Sequence, residues 1–180
     1  MQLGHVVPDM DAALQVWTQT LGVGPFVVLE TSKANRTFHH RGSPSDVDFS
    51  IAISYVGEVM VEIIMPFNDA PSPYREFLDS GRQGLHHYGF WPDQFESSCD
   101  RLAAAGMPEV SSIRHPDGTR DIIYCDAPAS LGVMMEIASL TPLRSAFLGS
   151  IRQLSAAWDG ERPVRRYASR EAFIQSGAGR

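Results

Sequence analysis

The beginning of the chain pairs short apolar strands with one amphipathic stretch. Residues 2–7 form an extended segment, and Asp9 is a suitable N-cap for a helix over about 9–21 that Gly22 ends. Apolar residues recur at helical spacing in this helix, at Leu14, Trp17 and Leu21. Three predicted strands follow, over 26–31, 48–55 and 58–65. The pattern therefore predicts the order β-α-β-β-β.

A second stretch shows the same order of elements. The pattern predicts a strand over 85–91 and a helix near 93–105, which Gly106 ends. Three further strands are predicted, over 109–114, 120–125 and 132–138. The sequence thus predicts an α+β fold with two related modules, the first over 1–66 and the second over 84–138, joined by a connection over 67–83.

Two pairs of matching sequences support an internal repeat. Pro8-Asp9 matches Pro92-Asp93 at a shift of 84, and VMVEI at 59–63 matches VMMEI at 133–137 at a shift of 74. Because the two matches occur in the same order, the repeat indicates two copies of one structural unit.

The last 42 residues, 139–180, lie outside both modules. Thr141 and Pro142 predict a helix start, as N-cap and first helical residue. An apolar stripe follows at helical spacing, at Leu143, Phe147, Ile151, Leu154 and Trp158. Such a stripe needs a surface to cover, either the chain's own sheet or a partner subunit, and we expect a homodimer. Beyond residue 160 the sequence predicts a polar, arginine-rich arm.

Composition and charge narrow the classes of function. A length of 180 residues and a hydrophobic content of 43% allow one large domain with a core. The net charge of −6 argues against a nucleic-acid binder or a protein that binds anionic membranes. No apolar run is long enough to span a bilayer. The two cysteines, Cys99 and Cys125, favour buried free thiols in a cytoplasmic protein, and Lys33 is the one candidate for Schiff-base chemistry.

Short motifs in both modules resemble the vicinal oxygen chelate superfamily, which includes glyoxalase I, methylmalonyl-CoA epimerase, extradiol dioxygenases and fosfomycin-resistance enzymes. The motifs are V-x-D-x-x-x-A around Asp9, VEIIMP at 61–66, GLHH at 84–87 and MEI at 135–137. Residues 61–90 are most similar to the epimerase branch. The resemblance covers residues 1–138 and implies a cupped, curved mixed sheet that encloses one divalent metal ion and a small-molecule substrate. Because the family commonly dimerises, it also supports the homodimer.

The resemblance implies metal ligands on the first and fourth strands of each module. Counting back from Asp9 and Asp93 gives the first-strand ligands, and the Glu of each Glu-Ile pair gives the others. The resulting set is Gln2, Glu62, His86 and Glu136. Glyoxalase I of the animal type uses the same ligand types in this order. The set suits Zn²⁺, Mn²⁺, Co²⁺, Ni²⁺ or Fe²⁺ alike.

Side-chain alternation along strands supports this choice. Gln2 and His5 are expected on opposite faces of one strand, and His86 and His87 on opposite faces of another. Only one residue of each of these two pairs can then face the metal.

The ligand set implies proton abstraction next to a carbonyl or thioester, with Glu136 as the first candidate base and Glu62 as the second. Isomerase, epimerase and lyase chemistry all fit. Epimerisation lacks one expected feature, because the third strand, DVDFSIAIS, has no Glu. A non-catalytic binding protein of the bleomycin-resistance type is the alternative. A dioxygenase is third, since it needs a His where Gln2 stands.

The segment TFHHRGSPSD at 37–46 is expected to be a solvated hairpin. The functional alternative is a rim that contacts the substrate through His39 and Arg41. Tyr88, an aromatic residue on a strand, is a further candidate for substrate binding.

Overall fold

The computed structural model describes residues 1–31 and 35–178, and Lys33 lies outside these ranges. The described strands are β1 (Gln2–Val6), β2 (Phe26–Leu29), β3 (Thr37–His40), β4 (Ser43–Ser45), β5 (Phe49–Val56), β6 (Val59–Pro66), β7 (Gly84–Phe90), β8 (Glu109–Arg114), β9 (Arg120–Cys125), β10 (Met134–Ala138) and β11 (Val164–Tyr167). The helices are α1 (Met10–Gln15), α2 (Pro73–Asp79), α3 (Phe95–Ala104), α4 (Pro142–Ala156) and α5 (Arg170–Ser176). A π-helical turn, Val16–Thr20, extends α1.

Side-chain caps fix where the helices begin. The Asp9 carboxylate accepts a hydrogen bond from the backbone N–H of Ala12 at 3.0 Å, as expected for an N-cap. Ser72 and Thr141 cap α2 and α4 in the same way, and a proline follows each of them at the first helical position. Among the described residues, no helix combines the length and hydropathy needed to cross a membrane.

All the described strands join one mixed sheet, in the order β11-β2-β5-β6-β1-β7-β10-β9-β8-β3-β4. The first module contributes β2-β5-β6-β1 and the second contributes β7-β10-β9-β8, so their strand orders are mirror images. The first strands of the modules, β1 and β7, pair antiparallel at the centre. Within each module the first strand pairs parallel with the last. The predicted α+β class with a mixed sheet is confirmed.

Helices cover the two faces of the sheet differently. Met10 and Leu14 of α1 pack on a cluster of β2, β5 and β6 residues, on what we call the outer face. Cys99 of α3, a free and buried thiol, packs on the outer face of the second module. Phe147 and Ile151 of α4 are buried on the opposite, inner face.

The segment expected as a solvated hairpin is a hairpin, but one side of it is buried. Its strand β3 pairs with β8 of the second module, so a segment of the first module extends the sheet of the second. Phe38 is buried, and the His40 ring contacts the Ser111 hydroxyl at 2.6 Å and the Glu76 carboxylate at 3.0 Å. The alternation of Thr37–His40 between exposed and buried positions follows from this pairing.

The C-terminal stripe covers the chain's own sheet. Helix α4 lies along β5, and the Ser155 hydroxyl accepts a hydrogen bond from the Tyr55 backbone N–H at 3.2 Å. Phe147 and Ile151 of the stripe are therefore buried within the chain, whereas Leu143 stays exposed. The expectation of a polar arm beyond residue 160 needs correction, because β11 pairs parallel with β2 and α5 follows it.

Candidate functional site

The candidate site lies on the inner face where the two modules meet. It consists of Gln2 on β1, Glu62 on β6, His87 on β7 and Glu136 on β10, all buried. The strand register makes these residues equivalent in pairs. Gly4 lies opposite Glu62 in the first module, and Gly89 lies opposite Glu136 in the second. Across the central pair of strands, Gln2 lies opposite Gly89 and His87 lies opposite Gly4.

The two central glycines make space for the two central polar side chains. A Cβ atom added to Gly4 would lie 1.9 Å from Cε1 of the His87 ring. A Cβ atom on Gly89 would lie 2.9 Å from Cβ of Gln2. Any other residue at Gly4 would therefore displace His87 from the site.

Short contacts join the four side chains. The Gln2 amide Nε2 donates to Glu62 Oε2 at 2.6 Å and lies 2.9 Å from His87 Nε2. His87 Nε2 lies 3.3 Å from Glu136 Oε2 and 3.7 Å from Glu62 Oε2. Ligand atoms of Glu62, His87 and Glu136 all lie within 4.8 Å of one another, so a single cation could bind all three.

His86 fixes which nitrogen of His87 carries the proton. His86 Nε2 lies 3.3 Å from the Pro73 carbonyl oxygen, which can only accept, so this nitrogen donates. Burial lowers the pKa of His86 to about 4, so its ring is neutral and its Nδ1 accepts. His87 Nδ1, 3.0 Å away, is then the donor. The lone pair of His87 Nε2 therefore faces the two carboxylates, which is the form that binds a metal.

Burial dominates the electrostatics of the site. It lowers the pKa of His87 well below the ordinary histidine value and raises the pKa of Glu62 well above that of an exposed glutamate. The negative charge of Glu136 raises the pKa of Glu62 further. Burial also raises the pKa of Glu136 to about 7. Two buried carboxylates without a cation are costly, so this arrangement favours a positive partner.

Two tyrosines support Glu136 from the side. The Tyr124 hydroxyl donates a hydrogen bond to the Glu136 carboxylate, and the Tyr74 hydroxyl lies 2.9 Å from the Tyr124 hydroxyl. Burial raises the pKa of both phenols well above their ordinary value, so both stay protonated. Glu136 is thus held by a neutral donor chain, whereas Glu62 is held by the Gln2 amide.

The site opens into a small inner cavity of about 60 Å³. Apolar side chains of both modules and of α4 form most of its wall, including Phe49, Ile51, Ile53, Ile113, Ile122 and Phe147. Gln2, Glu62 and Glu136 line it from the sheet, and three arginines line it as well: Arg36, Arg144 and Arg170. The C-terminal segment therefore contributes directly to the wall of the cavity.

The structure brings together three of the four residues that the sequence singles out as ligands, and His86 is the exception. The Nε2 atom of His86 points to the carbonyl oxygen of Pro73, the first residue of α2. His87 occupies the place expected for His86. The sheet register shifts between Gly4 and His5, so His86 is an extra, bulged residue on β7. Strict alternation fails at such a bulge, whereas on β1 it holds, since His5 packs against Trp17 on the outer face.

The sequence contains a pattern that identifies His87. From Gly4 to Pro8 there are four steps, but from Gly89 to Pro92 there are three, so counting from the Pro-Asp pair moves the expected ligand by one residue. Counting from the glycines instead matches Gln2-Leu-Gly with His87-Tyr-Gly.

The three residues expected to bind the substrate do not line the inner cavity. Arg41 is exposed and its guanidinium pairs with Glu76 at 2.7 Å, beside a separate pocket that also includes His86. His39 is half-buried on β3, and Tyr88 follows His87 on β7, half-buried. The polar residues that sequence reasoning missed are Arg144 and Arg170, for which the sequence shows no local motif.

Comparison with known proteins agrees with this architecture. Residues 1–124 match the family model described as the glyoxalase/bleomycin resistance protein/dioxygenase superfamily. The chain belongs to this superfamily. The predicted resemblance to the vicinal oxygen chelate proteins is thereby confirmed. A search of curated proteins finds no match to this superfamily member.

Solved structures of similar fold are distant in sequence. A hypothetical protein from Bacillus halodurans matches with a TM-score of 0.54 and 15% identity, over 78% of this chain and 92% of its own. The methylmalonyl-CoA epimerase from Mycobacterium tuberculosis matches with a TM-score of 0.53 and 17% identity, over 81% and 89%. A single-residue variant of the Streptomyces coelicolor methylmalonyl-CoA epimerase, in complex with 2-nitronate-propionyl-CoA, gives 0.52 and 16%, over 78% and 93%. At these identities the likeness concerns the fold.

Proposed function

We propose that this superfamily member is a divalent-metal-dependent enzyme that removes a proton next to a carbonyl or thioester group of a small molecule. The observation that carries the proposal is the convergence of an amide, an imidazole and two carboxylates at one enclosed point. A non-catalytic binding protein predicts a cavity without convergent polar groups. The convergence therefore favours the enzyme.

The metal ion would be held by Gln2, Glu62, His87 and Glu136. Ligand atoms of Glu62, His87 and Glu136 lie within 4.8 Å of one another, which suits an ion bonded to each at about 2.0–2.2 Å, and the His87 tautomer is the one that binds metal. Gln2 would ligate through its amide oxygen, which requires the amide to turn from the orientation in which Nε2 donates to Glu62. One imidazole with oxygen ligands is compatible with Zn²⁺, Mn²⁺, Co²⁺, Ni²⁺ or Fe²⁺. When bound, such an ion supplies a Lewis acid for a carbonyl oxygen of the substrate.

Glu136 is the first candidate for the group that accepts the proton, and Glu62 is the second. Both carboxylates line the inner cavity, where the substrate carbon would lie. The Gln2 amide ties Glu62 down at 2.6 Å, whereas a phenol hydroxyl holds Glu136. Apolar walls around the carboxylates exclude water from the proton-transfer step.

Strand β5, the third strand predicted for the first module, favours a lyase, or an isomerase that does not invert a carbon centre, over an epimerase. Inversion at one carbon requires acid–base groups on both faces of that carbon. In this chain β5 presents Ile51 and Ile53 to the cavity, and the strand contains no carboxylate. The chemistry we propose therefore relies on the two central glutamates alone.

Substitution of Glu136 tests the proposal. The full chain is loaded with each divalent ion in turn, its metal content is measured, and proton exchange of a panel of thioesters and 2-oxo compounds is followed in D₂O by NMR. We expect about one ion per chain, and a loss of exchange of at least roughly 100-fold in Glu136→Gln, the scale of a lost general base. Glu58→Gln, an exposed residue next to the turn between β5 and β6, is the matched control and should exchange normally.

Two outcomes would contradict the proposal. Failure to bind any divalent ion at stoichiometric level, even after loading, would remove the metal site. An unchanged exchange rate in Glu136→Gln would remove this residue as the base.

A further inference from the structure

Three arginines stand between the inner cavity and a larger outer pocket. Arg36, Arg144 and Arg170 line both spaces, and the outer pocket has a volume of about 620 Å³. Arg36 precedes β3, whereas Arg144 and Arg170 belong to α4 and α5. The C-terminal segment, which lies beyond the part of the chain matched by the family model, supplies two of the three.

One buried carboxylate serves two of these arginines. Asp121 Oδ2 accepts a hydrogen bond from Arg36 at 2.8 Å and another from Arg144, also at 2.8 Å. Asp121 Oδ1 accepts from the Ser139 hydroxyl at 2.7 Å. The side chains of Arg144 and Asp121 are 7% and 5% exposed, so this pairing is shielded from solvent. Asp121 therefore neutralises one charge and leaves the cluster positive.

The Arg170 side chain forms no hydrogen bond or ion pair within the described residues. Its guanidinium carbon lies 5.0 Å from the centre of the Phe147 ring, which supports it from one side. Burial, and then the charges of Arg36 and Arg144, lower the pKa of Arg170 to about 10, so it remains a cation at neutral pH. Arg170 lines both pockets, so its guanidinium donors are available to a ligand there.

Other acidic groups near the cluster have their own interactions. Asp48 accepts a hydrogen bond from the backbone N–H of Phe49 at 2.9 Å. The Glu171 carboxylate is bonded to the Ser169 side chain and to its own backbone N–H. Glu62 lies deeper, and the charges of Arg144 and Arg170 act on it through the cavity. None of these three carboxylates forms an ion pair with Arg170 in the described structure.

We propose that Arg170, with Arg144 and Arg36 beside it, binds the carboxylate of a small organic acid whose body enters the inner cavity. A single available guanidinium fork matches one carboxylate in a bidentate contact. An inner cavity of about 60 Å³ has room for a few atoms only, the volume of roughly four waters, and its wall is apolar. The ligand class is therefore a short acid with an apolar body.

This assignment narrows the substrate class of the proposed enzyme. The apolar body of the acid would point toward Glu62 and Glu136, which line the same cavity. This orientation rests on the proposed function, in which those two glutamates act on the substrate. The binding of the acid does not rest on it, since the arginines contact no metal ligand. A carboxylate held at Arg170 would place the adjoining carbons toward the two glutamates.

Titration of the metal-free full chain with propionate tests the site. Binding is followed by NMR on ¹⁵N-labelled protein after chelator treatment, with propionamide as the neutral analogue of the same shape. We expect propionate to saturate the wild type and propionamide to bind at least roughly tenfold more weakly, because a charge-assisted hydrogen bond is lost. Methyl phosphate serves as a second anion, and we expect it to bind more weakly than propionate.

Three variants complete the test. Arg170→Gln should weaken propionate binding at least roughly tenfold, and Arg170→Lys should weaken it less, since it keeps the charge but not the fork. Arg152→Gln, an exposed arginine of α4 that pairs with Glu58, is the control and should leave the dissociation constant unchanged. If Arg170→Gln does not fold, Arg170→Lys carries the test.

Several results would overturn the proposal. These are a propionate affinity that is the same in wild type and Arg170→Lys or Arg170→Gln, equal binding of propionamide, tighter binding of methyl phosphate, and no saturation by propionate. Because the protein is metal-free in this experiment, failure of the proton-exchange reaction would leave the anion site standing. Loss of the anion site would likewise leave the test of Glu136 valid.

Discussion

At the scale of single residues, the site depends on which of two adjacent histidines faces the carboxylates. His87 offers its Nε2 lone pair to the centre of the site. Its other ring nitrogen, Nδ1, donates a hydrogen bond to Nδ1 of His86. The two residues therefore have different roles, one in direct contact with the proposed ion and one that orients the first.

Alanine variants of the two histidines should separate these roles. We expect His87→Ala to lose high-affinity metal binding, and His86→Ala to bind metal roughly 10–100-fold more weakly, as is typical when a ligand loses its orienting partner. Competition with a fluorescent chelator measures both affinities. His115→Ala, whose ring is 45% exposed, should match the wild type. A variant His86→Ala that loses all metal while His87→Ala retains it would reverse the assignment.

Gly4→Ala should disrupt the site although it adds only one methyl group. The new Cβ would overlap the His87 ring at 1.9 Å, and we expect a loss of about 1–3 kcal/mol in the free energy of unfolding together with weaker metal binding. Gly149→Ala is the control, because nothing lies within 4 Å of its Cβ in α4, where alanine should stabilise the helix by about 0.5–1 kcal/mol. Urea unfolding of both variants measures the difference. Equal stability of Gly4→Ala and wild type would show that the ring can move aside.

The repeated sequence pattern places the two glutamates at equivalent points of the fold. Glu62 and Glu136 follow from the repeated Glu-Ile pair, and they lie at equivalent positions of β6 and β10. Counting back from Asp93 ends at His86 and not at His87 because the segment from Gly89 to Pro92 is one residue shorter than that from Gly4 to Pro8. Alternation does not correct the count, because His86 is bulged out of the pleat.

At the scale of secondary-structure elements, the strands with long buried runs were predictable and the C-terminal elements were not. Strands β5, β6, β8 and β9 begin and end within about two residues of the predicted bounds. Strand β11 has four residues, none of them buried, and α5 buries Phe173 alone. Such short, half-exposed elements form because neighbouring parts of the chain supply their contacts, and that information is not local.

Asp121 pairs with Arg144 of α4 and with Arg36 before β3, so the stability that these ion pairs contribute should depend on pH. Burial alone would raise the pKa of Asp121, but the hydrogen bonds and charge of Arg144, with Ser139 and Arg36, bring it below its ordinary value. The resulting stability is present above the unfolded-state pKa of about 3.9 and is lost as pH falls toward the lower folded-state pKa.

Asp121→Asn tests this dependence. At pH 7 we expect the variant to be less stable than wild type by about 3 kcal/mol, since two buried cations lose their partner. Below about pH 3.9 the difference should shrink, because the carboxylate becomes protonated in the unfolded wild type before it does so in the folded protein. Thermal unfolding of both proteins across pH gives the two curves. A difference that stays constant down to pH 2 would contradict the expected role of the charge.

At the scale of the whole molecule, the paired modules and the mixed sheet followed from the internal repeat. What the sequence did not show is how the two ends of the sheet are completed: β11, beyond both modules, lies beside β2, and the β3–β4 hairpin of the first module lies beside β8 of the second. These contacts join distant residues without any shared motif, so no periodicity indicates them.

A homodimer remains a prediction. Phe147 and Ile151 of the apolar stripe that suggested it are buried within the chain, whereas Leu143 is 57% exposed, and the resemblance to the superfamily is a further reason to expect a dimer. Size-exclusion chromatography with light scattering at micromolar concentration should give twice the chain mass of 19.8 kDa. A clean monomer across the concentration range would contradict the prediction.

The crossing hairpin affects how the chain can fold. Phe38 on β3 pairs with Ile113 on β8, 75 residues later in the sequence. Each residue of β2 pairs with a residue of β11 that lies 138 positions later. Contacts between residues so far apart in sequence slow folding, because the chain loses the entropy of closing a long loop before the contacts stabilise it. During synthesis the hairpin and the outer edge of β2 stay unpaired until the second half has left the ribosome. The first module thus has one open strand edge until β8 is made and a second until β11 follows, and unpaired edges of this kind make a nascent chain prone to aggregation.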